Sequence, residues 1–303
     1  MQTATSSAGD RQARVAGLLR EIAAIGPVFD PGVLARTRAL YQSAFDPPPA
    51  GAAVDVQLDL AYGPHERHRL DLYRPRGKAS PPVVVFIHGG GFVAGDKRGD
   101  DQFYRNVGEF FARNGFAAAL CNYRLAPAFP WPAGMLDVGS AIDWIALNAR
   151  SLDVDARQLF AIGQSAGACH LAGYLFDKAS AAAANVRLRA AMLLSGTYRL
   201  IEPLGPGPAA YFGTATELYE HRSPIVHLRN SEVPLFIGVA EFDPPGMARH
   251  SFDLAMAVTM RDRKSPVFAW MAGHNHVSTV HSLGSVQTDM GEQLLGFLAR
   301  HAA

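Results

Sequence analysis

The ten residues Leu159–Ala168, LFAIGQSAGA, run through an apolar stretch and stop at a serine held between two glycines. A strand ending at Gly163 that turns at once into a helix from Ala166 puts Ser165 on a tight turn. Gly163 and Gly167 allow that turn because they carry no side chains to collide. The hydroxyl then stands above a sheet and at a helix N-terminus, where free N–H groups and the helix dipole favour developing negative charge. A serine that only capped the helix would explain Ser165 but not both glycines.

The segments on either side give this turn its setting. VDVQLDL from Val54 and HRLDLYRP from His68 alternate apolar and polar residues, the pattern of half-exposed antiparallel strands in an edge hairpin. VVVFIHGGGF from Val83 has no polar face, as expected of a strand buried between helix layers. The chain then alternates: a helix around Phe103–Asn114, the strand AAALCNYR, a helix from about Gly134 to Arg150, LFAIGQS, and a helix Ala166–Lys178. The strand RAAMLLSG, an irregular stretch, PLFIGVAE, a helix around His250–Arg261, VFAWMAG and a final helix complete it. This order predicts an α/β fold with a mostly parallel eight-stranded sheet covered by helices on both faces.

Residues 1–53 are expected to form an N-terminal helical arm, with Val15, Leu18, Leu19 and Ile22 at helical spacing and a break at FDPPPAGA; the arm either packs on the core or caps a pocket. Residues 54–303 are expected to form one main domain, interrupted by a Gly-, Pro- and Tyr-containing, lid-like insertion at about 197–230.

The 303 residues are 49% hydrophobic and 18% charged, with a formal net charge of +1. That balance suits a globular enzyme and leaves no basic footprint for nucleic acid or an anionic membrane. The absence of a membrane-length apolar run, the lack of an apolar core in MQTATSSAGDRQAR, and two cysteines in apolar surroundings, Cys121 and Cys169, predict a cytoplasmic protein with reduced thiols. No Cys/His grouping has zinc-like spacing, so no metal is expected. The exposed sheet edge or the last helix is expected to support a homodimer.

A serine hydroxyl is a weak nucleophile without a general base and a group to orient it. Asp243 follows the strand PLFIGVAE, and His276 follows VFAWMAG, so Ser, Asp and His occur in that order, each beyond a different strand. His274 competes with His276; the loop after Gly273 favours His276 as the one that can swing back over the serine. Glu241 competes with Asp243 but falls within the strand. The glycines of IHGGGF expose backbone N–H groups for an oxyanion, and the donors are assigned to Gly90, Gly91 and Ala166. Phe92, Trp131, Tyr211, Phe212 and Phe242 are expected near the carboxyl ends of the strands as substrate-binding residues. His170 reads as a packed wall residue, and His65, His68, His221, His227, His250 and His281 as solvated.

HGGGF, GDKR, YRLAPAFPWPAG, GQSAG, EFDPP and GHNHVS, in this order, resemble the hormone-sensitive-lipase-like carboxylesterases and the neighbouring aryl formamidase and feruloyl-esterase-like branch. The resemblance runs from about Val54 to the C-terminus. It implies an α/β-hydrolase fold and a serine hydrolase that cleaves small, short-acyl or aromatic esters through an acyl-enzyme, without a cofactor. Ser165 would be nucleophile, His276 base, Asp243 orienter, and Gly90, Gly91 and Ala166 the oxyanion hole. Gln164 departs from the Asp or Glu usual there in the lipase-like esterases, and EFDPP with GHNHVS is similar to the formamidase-like branch. Aryl formamide or amide hydrolysis on the same triad, and a non-catalytic ligand-binding role, are the alternatives.

Overall fold

A computed structural model describes residues 8–47, 53–100, 102–177 and 188–302. Pro82–Ile87 forms a strand that is apolar on both faces. Val83, Val85 and Ile87 enter one buried cluster, and Val84 and Phe86 enter another. Such a strand is stable only between two covering layers.

Among the described residues eight strands make one sheet: β1 (Val54–Ala61), β2 (Arg69–Pro75), β3 (Pro82–Ile87), β4 (Ala117–Cys121), β5 (Asp155–Gln164), β6 (Ala190–Leu194), β7 (Leu235–Phe242) and β8 (Val267–Asn275). Their order is β1-β2-β4-β3-β5-β6-β7-β8. The β1–β2 and β2–β4 pairs are antiparallel and the other neighbours are parallel. This is the α/β-hydrolase fold.

Among the described residues six helical segments precede β6: α1 (Ala8–Ile25), α2 (Pro31–Gln42), α3 (Arg105–Arg113), α4 (Ala133–Leu147), α5 (Ala149–Leu152) and α6 (Ala166–Phe176). On one face of the sheet α4 and α6 contribute Val138, Ile142, Leu171 and Leu175. On the other, α3 and the C-terminal helix Asp289–Ala299 contribute Val107, Phe111, Leu294 and Phe297. Each such side chain, fully buried, stabilises the fold by roughly 1.5–3 kcal/mol.

Several boundaries differ from those read in the sequence. The helix expected to reach Arg150 stops at Leu147, where the Asn148 side chain donates to the Trp144 carbonyl and breaks the repeat before α5. The helix expected from His250 begins at Pro245, whose fixed φ suits a first helical position. Thr197–Asn230 is less irregular than its composition suggests, containing the helical segments Pro206–Phe212, Thr216–Leu218, Tyr219–Arg222 and Pro224–Asn230. Residues 48–52 of FDPPPAGA, residues 1–7 of the N-terminal stretch and Lys178 lie outside the described residues.

The N-terminal arm folds back onto the main domain. Leu18, Ile22, Tyr41 and Ala44 pack with Phe103 and Val286, and Phe242 lies partly buried against them. Asp30 caps α2 by accepting from the Val33 N–H at 2.8 Å, with Pro31 opening the helix.

The histidines are drier than composition alone suggests. Of the six read as solvated, only His221 is exposed, while His68 and His281 are buried. His68 lies 3.1 Å from Asp137, which Arg124 also holds. His281 stacks on Phe103 at 4.1 Å, and neither ring nitrogen has a hydrogen-bond partner. Burial pushes His88 down to about 4, and His170 and His281 to about 3.

These rings are neutral when folded but take up protons near pH 6.5 when unfolded. The unfolded chain therefore binds more protons between those limits, and stability rises with pH across that window. Acidification from pH 7 to pH 4 is expected to lower the unfolding free energy progressively. His281→Phe keeps a ring against Phe103 and should make that fall shallower in urea unfolding followed at several pH values; an unaltered slope would refute the assignment.

Candidate active site

Three loops meet at the carboxyl ends of the central strands because the strand register places them side by side. Ile87 of β3 pairs with Gly163 of β5, Gln164 with Leu194 of β6, and Leu194 with Gly238 of β7. The chain leaving β3 at His88, β5 at Ser165 and β6 at Ser195 therefore emerges on one level.

Ser165 sits at φ 56° and ψ −123°, a conformation costly for a residue with a Cβ, on the order of 1–3 kcal/mol. Its surroundings hold it there. The Ser165 N–H donates to the Leu194 carbonyl at 2.9 Å. A Cβ at position 163 would lie 2.6 Å from Ala168 Cα, and one at position 167 would lie 2.2 Å from the Ile87 carbonyl oxygen. Both glycines are thus demanded by close backbone approach.

The Ser165 hydroxyl lies 2.9 Å from His276 Nε2. On the other side of the ring, Nδ1 lies 2.7 Å from Asp243 Oδ1. Asp243 is buried, and its Oδ2 accepts from the Ser195 hydroxyl at 2.6 Å and the Ala240 N–H at 2.8 Å. These donors stabilise the carboxylate out of water, which would otherwise be costly. The arrangement holds an imidazole with one nitrogen free to take the serine proton and the other fixed beside a negative charge.

His274 and Glu241 do not take part in this contact chain. The His274 ring is engaged by Ser278, Gln287 and Asp289. Glu241 is exposed and accepts from the Gly273 N–H at 2.7 Å, pinning the end of β8.

The turn after β3 runs beside the serine. Gly90 adopts φ +135°, and a Cβ there would lie 2.0 Å from the Ala94 carbonyl oxygen. The N–H groups of Gly90 and Gly91 donate to no acceptor among the described residues, and that of Ala166 is a free first-turn donor of α6. The Tyr123 hydroxyl donates to the His88 carbonyl at 2.9 Å, and His88 Nδ1 meets the Gly89 carbonyl at 2.7 Å. The Asn122 side chain clasps the following segment, accepting from the Lys97 N–H and donating to Asp96.

Ser165 and His276 open onto a cavity of about 460 Å³ lined also by Gly89, Gly90, Gln164, Tyr104, Asp96 and, from the N-terminal arm, Phe29, Leu34 and Arg38. None of the five aromatic residues expected at the substrate lines it. Phe92, Tyr211 and Phe212 instead form a buried cluster with Ala166 and Cys169, with Trp131 packed against it. Phe92 stacks on Tyr211 at 5.0 Å, so this cluster supports the glycine turn from behind. Trp131, Tyr211 and Phe212 border a separate cleft with His170, which is buried as its sequence position suggested. Phe242 turns away towards the arm.

Sequence reading overlooked the residues that brace the site. Ser195, like Ser165, follows a strand end, so a polar residue at that place was a detectable signal. Gln164 Nε2 donates to the His276 carbonyl at 2.8 Å, and Phe29 sets its ring edge-on to His276 at 4.7 Å. Asn275 Nδ2 donates to Thr37 Oγ1 at 2.8 Å, tying the histidine loop to α2. Nothing local in the sequence marks Phe29 or Thr37, because the contact depends on the arm folding back.

Comparison with known proteins gives the same framework. Residues 70–185 match the BD-FAE family model. Lipase 2 of Moraxella sp. is 33% identical over 94 residues, covering 31% of this chain and 21% of that protein. Esterase LipI of Mycobacterium tuberculosis is 33% identical over 117 residues, 38% of this chain and 35% of that one. The matched segment thus spans about a fifth to a third of the curated relatives' length. Among solved structures, a bacterial heroin esterase superposes with TM-score 0.69 at 22% identity, over 95% of this chain and 98% of the other. Esterase B from Lactobacillus rhamnosis gives 0.71 at 17% identity, over 97% and 96%. The chain shares the α/β-hydrolase fold with these structures. Over residues 70–185 its sequence is similar to the BD-FAE family, and its matched segments are similar to parts of a lipase and an esterase.

Gly167→Ala is expected to destabilise the protein by about 1–3 kcal/mol through overpacking against the Ile87 carbonyl. Thermal unfolding would read this as a lowered Tm; an unchanged Tm would contradict the close approach.

Proposed function

We propose that the protein is a serine hydrolase that cleaves carboxylic esters of small molecules. Ser165 Oγ attacks the ester carbonyl carbon while His276 Nε2 takes its proton. The oxyanion that forms is held by the N–H groups of Gly90, Gly91 and Ala166, a type of interaction worth roughly 3–4 kcal/mol per donor. His276 then returns the proton to the leaving alcohol, which departs and leaves an acyl-serine. A water, deprotonated by His276, releases the acid and restores Ser165. Asp243 orients the ring and stabilises its positive charge.

The observation carrying this reading is the unbroken contact chain from Ser165 through His276 to Asp243 opening onto a cavity. A volume of about 460 Å³ lies in the range of small-molecule sites and supports a short-acyl or single-ring ester. The N-terminal arm acts as a cap in this reading, since Phe29, Leu34 and Arg38 form one wall. The chemistry needs no cofactor.

We also assign the protein to the cytoplasm, a placement supported by the free, buried thiols of Cys121 and Cys169. Among the described residues no helix is long and apolar enough to cross a membrane. Pairing with a second copy is supported by Phe252, Met256 and Met260, exposed at successive turns of the helix Pro245–Asp262, and by exposed Trp270 on the edge strand β8. Sedimentation should then show a dimer that Met256→Lys converts to monomer; a monomeric native protein would dismiss the pairing.

Ser165→Ala is expected to cut kcat for 4-nitrophenyl acetate by at least about 10⁴-fold while leaving the circular dichroism spectrum intact. Undiminished turnover in the folded variant would overturn the assignment.

A further inference from the structure

We propose that Arg38 is a carboxylate-recognition residue and that the substrate is a small ester bearing a second, ionised carboxylate. The inference deepens the reading of Ser165 as an ester-cleaving nucleophile and rests on it.

Arg38 occupies the same cavity wall as Phe29 and Leu34, across the space shared with Ser165 and His276. It is not a loose surface cation, for α2 is anchored on both sides of it. Thr37 accepts from Asn275, and the Tyr41 hydroxyl donates to Gln287 Oε1 at 2.5 Å. Only 26% of the Arg38 side chain is exposed, and its Nε is buried without a hydrogen-bond partner. Its Nη1 stands 3.6 Å from Asp100 Oδ2, beyond hydrogen-bond distance.

Of the nearby carboxylates, Asp100 faces Arg38 through Oδ2 at ion-pair range without hydrogen-bonding it. Asp100 Oδ1 accepts from the N–H groups of Gln102 and Phe103. Asp96, on the cavity wall, accepts from the Arg98 N–H and the Asn122 amide. A partly desolvated guanidinium with uncommitted donors is costly, and its planar fork fits a carboxylate better than any neutral group. Apart from Arg38, the titratable wall residues are Asp96, His276 and Tyr104, and Asp96 repels an anion. A substrate carboxylate therefore has one favourable berth, at Arg38.

Two matched ester pairs test this, one with the charge on the alcohol side and one on the acyl side. They are 4-acetoxybenzoate against 4-acetoxybenzamide, and monoethyl glutarate against its terminal amide. In at least one pair the native protein should favour the acid by tenfold or more in kcat/KM. Arg38→Gln should reduce that ratio at least tenfold, and Arg38→Lys should restore part of it. Reading the ratio separates lost recognition from general damage, which slows both members alike. No preference in either pair, or a ratio untouched by Arg38→Gln, would overturn the proposal.

Calorimetric binding of 4-hydroxybenzoate and glutarate, each against its amide, supplies a readout independent of turnover. Tighter binding of the acid that vanishes in Arg38→Gln would uphold the carboxylate site even if no ester were cleaved, in which case only the nucleophile reading would fail. Equal binding of acid and amide in both sets would reject it.

Discussion

The close approach of the turn after β5 to the end of β3 is the constraint on which the site depends. Gly167 lies so near the carbonyl oxygens of Ile87 and His88 that no side chain fits between them. That contact locks the start of α6 against the neighbouring strand and holds Ser165 in its left-handed conformation. The same contact brings the glycine turn and the serine together, so the N–H groups of Gly90 and Gly91 and the Ser165 hydroxyl are set side by side by one packing event. Strain at Ser165 persists because the surrounding backbone leaves it no alternative.

Polar groups close to the site follow a consistent rule: each buried charge is met by several donors. Asp243 receives Ser195, Ala240 and His276, and Asp137 receives Arg124 and lies beside His68. The buried ammonium of Lys97 sits between Asp59 and Asp71, which Arg98 also approaches, fixing the segment after the glycine turn. Removing one member of such a group would leave an uncompensated charge in a dry setting, which costs more than the pair contributes. Arg38 differs: Asp100 faces it at 3.6 Å, but its buried Nε has no hydrogen-bond partner, and it lines the cavity beside Ser165.

The N-terminal arm joins these two themes. A small apolar cluster and a few hydrogen bonds hold it, so its attachment is modest beside the two large clusters under the sheet. Its residues nevertheless close one side of the cavity and touch the histidine loop. Shielding of that kind lowers the local dielectric around Ser165 and strengthens every electrostatic contact there.

Much of the architecture was legible locally. The doubly apolar run at β3, the alternation in β1 and β2, and the glycines around Ser165 and at 89–91 each carry their structural meaning in a few neighbouring residues. The order Ser165, Asp243, His276 along the chain sufficed to nominate the three groups that the fold brings into contact. The choice of His276 over His274 depended on loop reach, and of the aromatic residues expected at the substrate, Phe92, Tyr211 and Phe212 pack behind the glycine turn with Trp131 against them, while Phe242 packs against the arm. Their hydrophobicity marked them for burial without saying against what. The cavity wall was decided by tertiary structure alone, since Phe29, Leu34 and Arg38 are more than a hundred residues from Ser165 and carry no periodic or motif signal for that place. Short-range patterns determine strands, turns and backbone strain because those arise between near neighbours. Which surface faces the serine is settled only when distant segments compete to be buried there.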